Sequence, residues 1–219
     1  MSRRASARVP TPRSTNHPAR YTCPRTLDSA GPLRRLVVST IMSLDGYVMV
    51  PPTDGVVDAH HLDRQRAADT LLLGATTYRS LRAYWPTVAD DPAVQETARR
   101  ITEMRKVVVS DSLSEADTAP WTATTTIVRR TDAREAVAAL KGRPGADILM
   151  VGSRALWPDL LVAGLVDELY VTVGAAVLGG GTPAFGTGPI PRLHLLEVTR
   201  REGSSTVLLR YAVDGTVRS

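Results

Sequence analysis

The residues best suited to chemistry lie in one stretch, Asp147–Leu161 (DILMVGSRALWPDLL). Ile148–Val151 reads as a buried strand closed by Gly152. Ser153 is a good helix N-cap, and a helical pattern follows it. Such a junction makes an anion seat: the glycine admits a ligand close to the backbone, and the helix start offers free N–H groups and a positive dipole end. Val151, Gly152, Ser153, Arg154, Ala155 and Leu156 are therefore candidate phosphate contacts. Arg154 is the most telling, since dipole logic alone would place an acid there. An ordinary strand-to-helix turn would carry the same pattern. A second glycine-rich loop, formed by Leu178, Gly179, Gly180, Gly181 and Thr182 (LGGGT), follows within about 30 residues, as expected of a nucleotide site built from several turns. Asp45 is the catalytic candidate, a carboxylate at a strand's end in Asp45-Gly46; the pair also suits a plain turn. No metal site is expected, because one cysteine and four histidines offer no ligand spacing.

Hydrophobic periodicity supplies the elements that must position these groups. It predicts strands over Leu36–Ile41, Asp69–Leu73, Lys106–Ser110, Thr124–Val128, 147–151 and Asp167–Val173. Helices are expected over His60–Ala68, from Gly74 to about Tyr84, over Pro92–Glu103 and over Asp132–Leu140. The helix behind Ser153 contains Pro158, which predicts a short first turn and a kink. Residues 193–201 and 205–213 read as two antiparallel strands about Glu202-Gly203-Ser204. Strands alternating with helices imply an α/β fold, a three-layer αβα sandwich with a mostly parallel sheet and a C-terminal antiparallel hairpin. Tyr78 and Trp85 read as core or cleft wall, Trp157 as packing or a subunit contact, and His60-His61 as solvated at a helix start.

Residues 1–32 are rich in Pro, Ser, Thr and Arg and are expected to be a disordered basic tail, leaving 33–219 as the domain. The net charge of +5 suggests nucleic acid at first sight. Residues 1–35 hold eight arginines and one acid, however, whereas 36–219 hold 19 basic and 21 acidic residues. The body is thus not a basic surface, and no nucleic-acid partner is expected. The lone cysteine, Cys23, fits a reducing, cytoplasmic setting, and no apolar run approaches the ~18 residues of a membrane span.

In order along the chain stand M-S-L-D-G, L-L-L-G-x-T-T-Y-x-S, K-V-V-V-S, G-S-R-A-L, G-L-V-D-E-L and V-L-G-G-G-T-P-A-F. Over roughly residues 35–213 this series resembles the C-terminal reductase domain of the riboflavin-pathway deaminase-reductase, within the dihydrofolate-reductase-like fold. The resemblance implies an NADPH-dependent reductase, with NADH possible, that transfers a hydride to an imine or carbonyl carbon of a small pterin- or pyrimidine-like substrate. The alternative is a nucleotide-binding domain of the same fold without efficient turnover. By the same resemblance Thr40 and Ile41 lie against the nicotinamide, and Gly74, Thr76 and Thr77 form a phosphate-contacting helix start. Ser110, Asp111 and Ser112 lie on the adenosine side, joined by Arg129 and Arg130. The 178–182 loop closes over the cofactor, and the protein pairs as a homodimer. Two positions depart from the pattern: Ala75 stands where relatives carry arginine, and Asp111 follows Ser110 where they carry serine or arginine. These changes remove favourable phosphate contacts or add a like charge, and so bear on the choice between NADPH and NADH. Substrate specificity is expected in loops 47–59 and 84–92.

Overall fold

Successive residues of the first strand, β1 (Leu36–Met42), belong to different cores. Leu36 and Val38 join one apolar cluster, Val37 the other. The alternation recurs in β2 (Ala68–Gly74), β5 (Asp147–Val151) and β6 (Glu168–Val173), where Leu72, Ile148, Met150, Leu169 and Val171 face one way and Leu71, Leu73, Leu149 and Tyr170 the other. A strand that is apolar on both sides needs cover on both faces. Tyr78 of α2 (Ala75–Tyr84) and Ile101 of α3 (Gln95–Glu103) cover one face, joined by α1 (Gly55–Ala67), whose His60 ring lies 4.8 Å from that of Tyr170. Val137 of α4 (Ala133–Lys141) and Leu160 and Leu161 of α5 (Trp157–Val162) cover the other. This is the expected three-layer sandwich. The computed structural model describes residues 34–49, 55–186, 191–200 and 203–214. The tail over 1–32, Pro51-Pro52 and the hairpin residue Glu202 lie outside the described residues.

With β3 (Arg105–Val109), β4 (Thr125–Val128), β7 (Leu193–Thr199) and β8 (Val207–Val213), the strands form one eight-stranded sheet in the order β4-β3-β2-β5-β1-β6-β8-β7. β4 to β6 are all parallel. The C-terminal hairpin adds antiparallel pairing, with β8 inside, running from Glu168↔Ala212 to Val173↔Val207, and β7 at the edge. The amino ends of the strands are tied by ion pairs. Arg34 pairs with Asp69, Lys141 with Asp167, and Arg35 with both Asp147 (2.5 Å) and Glu168 (2.6 Å). Arg34 and Arg35 thus belong to the folded body, which corrects the charge division: residues 34–219 hold 21 basic and 21 acidic groups and are neutral.

Three local expectations need correction. Ser153 caps no helix; α5 begins four residues later, with Leu156 at its N-cap. Pro158 consequently falls in the first turn, where its missing N–H is an orphan in any case, and no kink is required. The first helix starts at Gly55 rather than His60, so His60 sits within it, half-buried against Tyr170, and not at a solvated start. Burial and the neighbouring Arg64 push its imidazole down to about 4, so the ring is neutral. Trp157 is fully buried with its ring edge-on to Phe185, which settles it as a packing residue. No helix among the described residues is long and apolar enough to cross a membrane.

Candidate functional site

Parallel strands present all their carboxyl ends on one side, and in open α/β sheets ligands bind outside those ends. Every sequence-predicted site residue sits there. In spatial order the ends carry Arg129 (β4), Ser110–Ser112 (β3), Gly74 (β2), Val151–Leu156 (β5), Thr40, Ile41 and Asp45 (β1), and the 178–182 loop (β6). The sequence scatters these groups; the crossovers line them up.

Side-chain contacts then join neighbouring ends. Ser153 bridges β5 and β2: its N–H donates to Thr77 Oγ1 (2.9 Å), its hydroxyl accepts from Gly74 N–H (2.9 Å), and that hydroxyl donates to the carbonyl of Val151 (3.1 Å). Gly152 and Ser153 both have positive φ, +56° and 49°. Serine tolerates this region poorly, yet here it is buried and held on every side. The seat therefore differs from the expected capped helix. The N–H groups of Gly74 and Ser153 are committed to protein acceptors. The donors left for a ligand are the first N–H groups of α2, which no side chain caps and whose first turn contains no acidic residue, and those of the 154–155 turn.

Arg154 links this turn to the β6 loop by donating through Nε to the carbonyl of Pro183. The β6 loop is in turn paired with the segment after β1: Val48 N–H donates to Thr182 O (2.8 Å), Ala184 N–H to Gly46 O (2.8 Å) and Leu44 N–H to Ala176 O (2.8 Å). Asp45 completes that junction. Its Oδ1 accepts from Ser43 Oγ (2.6 Å) and Leu178 N–H (3.1 Å), and its Oδ2 from Gly179 N–H (2.7 Å). The Ser43 hydroxyl, followed by the Leu178 amide, holds the carboxyl down at about 2. Asp45 is an exposed latch between two loops, with both oxygens occupied. Ile41 also has a partner, its carbonyl accepting from Met49 N–H (3.4 Å).

On the other flank, Ser110 Oγ accepts the N–H groups of Ser112 and Leu113 (3.1 and 3.0 Å), which fixes the turn after β3. Asp111 turns its Oδ1 onto Arg130 N–H (3.0 Å). Arg129 reaches the carbonyl of Asp111 (3.4 Å) and Arg130 that of Ala155 (3.1 Å). Arg79, absent from the sequence-derived candidates, donates to Ser112 Oγ (3.3 Å). Its signal was available: it lies one helical turn beyond Ala75, on the same face.

Charge separates the two ends of the sheet. At the amino ends the cations are paired with carboxylates. Arg79, Arg129, Arg130 and Arg154, at the carboxyl ends, form no ion pair among the described residues and hydrogen-bond only to carbonyls and a hydroxyl. Guanidinium groups with no ion pair among the described residues, beside uncapped N–H groups, are an arrangement suited to an extended anion.

A sequence profile of the RibD C-terminal domain matches residues 34–208. Among curated proteins, the uncharacterized protein YyaP of Bacillus subtilis (strain 168) is 28% identical over 182 residues, spanning 80% of this chain and 92% of its own length. Among solved structures, a pyrimidine reductase-like protein from Corynebacterium diphtheriae superposes with a TM-score of 0.58 at 19% identity, covering 83% of this chain and 92% of that one. A diaminohydroxyphosphoribosylaminopyrimidine deaminase/5-amino-6-(5-phosphoribosylamino)uracil reductase from Thermotoga maritima gives a TM-score of 0.57 at 13% identity, covering 83% of this chain and 57% of that one. Identities this low establish a shared fold.

Proposed function

Because the chain belongs to the RibD C-terminal domain family, we propose that it is a reductase that binds NADPH across the carboxyl ends of its parallel strands. Its substrate would be a small pterin- or pyrimidine-like molecule, reduced at an imine or carbonyl carbon. The observation that carries this reading is the row of arginines without an ion pair among the described residues, beside the uncapped start of α2, an arrangement that suits an anion spanning several strands. The residues present fit a dinucleotide. Ala75, Thr76, Arg154 and Ala155 would hold its diphosphate, and Ser110–Ser112 with Arg129 its adenosine end. When bound, the dinucleotide supplies the hydride. The chain's own part is to fix the ligands and exclude water, with Thr40 and Ile41 buried at the end of β1 as a rigid floor and the 178–182 loop held by Asp45 and Arg154 as the cover.

Titration of the purified protein with NADPH and NADH, followed by nicotinamide fluorescence, should show saturable binding of both and a lower dissociation constant for NADPH. Absence of binding by either would overturn the reading. One observation favours the alternative, a nucleotide-binding domain without efficient turnover: Asp45, the carboxylate at the end of β1, has both oxygens committed to loop contacts. Turnover across a panel of imines and carbonyls separates the two readings.

The homodimer is proposed on the edge strand β7. Leu195 and Val198 there are 53% and 56% exposed, and an apolar edge is a template for pairing. Light scattering at micromolar concentration should return twice the chain mass, and Leu195→Lys with Val198→Lys should return the monomer. A monomeric parent protein would rule the dimer out.

A further inference from the structure

We propose that Arg79 is the residue that selects NADPH over NADH by holding the phosphate on the adenosine ribose. This rests on the dinucleotide reading above and adds to it a specificity determinant.

β2 has β5 on one side and β3 on the other. The Gly152–Ser153 turn meets β2 and α2 on the β5 side, through Ser153, Gly74 and Thr77. Arg79 meets the β3 side, through Ser112. β5 and β3, whose following turns carry Ser153 and Ser112, stand about 10 Å apart with β2 between them, so the two contacts lie on opposite sides of β2. A dinucleotide whose diphosphate lies at the first contact brings its adenosine ribose toward the second.

The β3 side is prepared for a dianion. Arg79 and Ser112 are exposed, and their mutual hydrogen bond is a long one. Helical side chains lean toward the helix N-terminus, so Arg79 covers the surface above Ala75, the turn that bears no side-chain cation of its own. The carboxylates of Asp111 and Asp117 on this flank are engaged elsewhere. Asp111 accepts from Arg130 N–H. Asp117 accepts from the Ser114 N–H (2.8 Å) and hydroxyl (2.9 Å), contacts that, with a smaller contribution from Arg79, hold its carboxyl below the usual range. Arg79 is therefore free to form a bidentate pair with a phosphate. Ser112 Oγ, already beside the guanidinium, supplies a second donor.

The test compares dissociation constants for NADPH and NADH on the parent chain, Arg79→Met and Arg79→Lys, at two salt concentrations, with melting temperature as a folding check. Arg79→Met should weaken NADPH tenfold or more, leave NADH within twofold, and flatten the salt dependence of NADPH binding. Arg79→Lys should recover part of the loss. Equal weakening of both dinucleotides, or none, would overturn the role given to Arg79 while leaving the dinucleotide site standing. Failure of the parent chain to bind either would overturn both.

Discussion

Valine in place of Gly152 should abolish dinucleotide binding and lower stability at the same time. Gly152 has φ +56°, and a Cβ built on it lies 3.1 Å from Thr77 Oγ1, the atom that accepts the Ser153 N–H. A β-branched side chain would thus sit in the left-handed region and press on the hydroxyl that ties β5 to α2. The conformational cost alone is roughly 1–2 kcal/mol. The melting temperature should fall by about 2–8 °C. Binding should fall further than stability, because the turn that carries Arg154 and Ala155 would move away from the start of α2. Gly152→Ala grades the effect, keeping the backbone penalty with less overlap. Calorimetric melting and fluorescence titration on both variants decide the matter. A Gly152→Val protein with an unchanged dissociation constant would show that the ligand does not use this turn.

That coupling of binding to stability could not be read from V-G-S. The sequence pattern locates a strand, a glycine and a helix, and the structure keeps all three. What it cannot show is that Ser153 is reached from β2, a strand that lies next to β5 in space and some 80 residues earlier in the chain. A serine before a helical pattern has a good local explanation as a cap, and tertiary packing displaced it: Gly74, Thr77 and Val151 offer Ser153 three partners where a cap offers one. Strand positions were legible for the opposite reason. Leu36–Val38, Leu71–Leu73 and Ile148–Met150 are continuous apolar runs because both faces are covered, and no long-range contact alters that reading. His60 shows the limit on helices. Asp58, His61 and Asp63 around it are polar, so local pattern placed it in solvent, whereas its burial comes from Tyr170 of β6, more than a hundred residues away. Arg79 stands one helical turn beyond Ala75 on the same face, a spacing the sequence does show, but only the fold places Ser112 beside it.

Alanine at position 45 should release the glycine-rich loop and lower kcat/KM without removing any limb of the pH–rate profile. Asp45 is joined to Ser43 on its own loop and to the amides of Leu178 and Gly179 on the other. Without the carboxylate those amides lose their acceptor, and only the backbone pairs at Leu44, Val48 and Ala184 keep the two segments together. Hydrogen exchange at Leu178 and Gly179 should accelerate. Misplacement of a cover loop by about an ångström can lower kcat/KM as much as 100-fold, and Asp45→Asn, which retains an acceptor oxygen, should fall between the parent and Asp45→Ala. The pH dependence separates a latch from a catalytic acid. The carboxyl is lowered from 3.8 to about 2 in the folded protein, so its contribution to stability is complete above 3.8 and is lost as the pH falls through about 2. Between about pH 5 and 8 it stays ionised and passes no proton, and the profiles of parent and variant should be parallel across that range. Loss of an acidic limb in Asp45→Ala, with unchanged exchange at Leu178 and Gly179, would make Asp45 a proton donor and remove the latch.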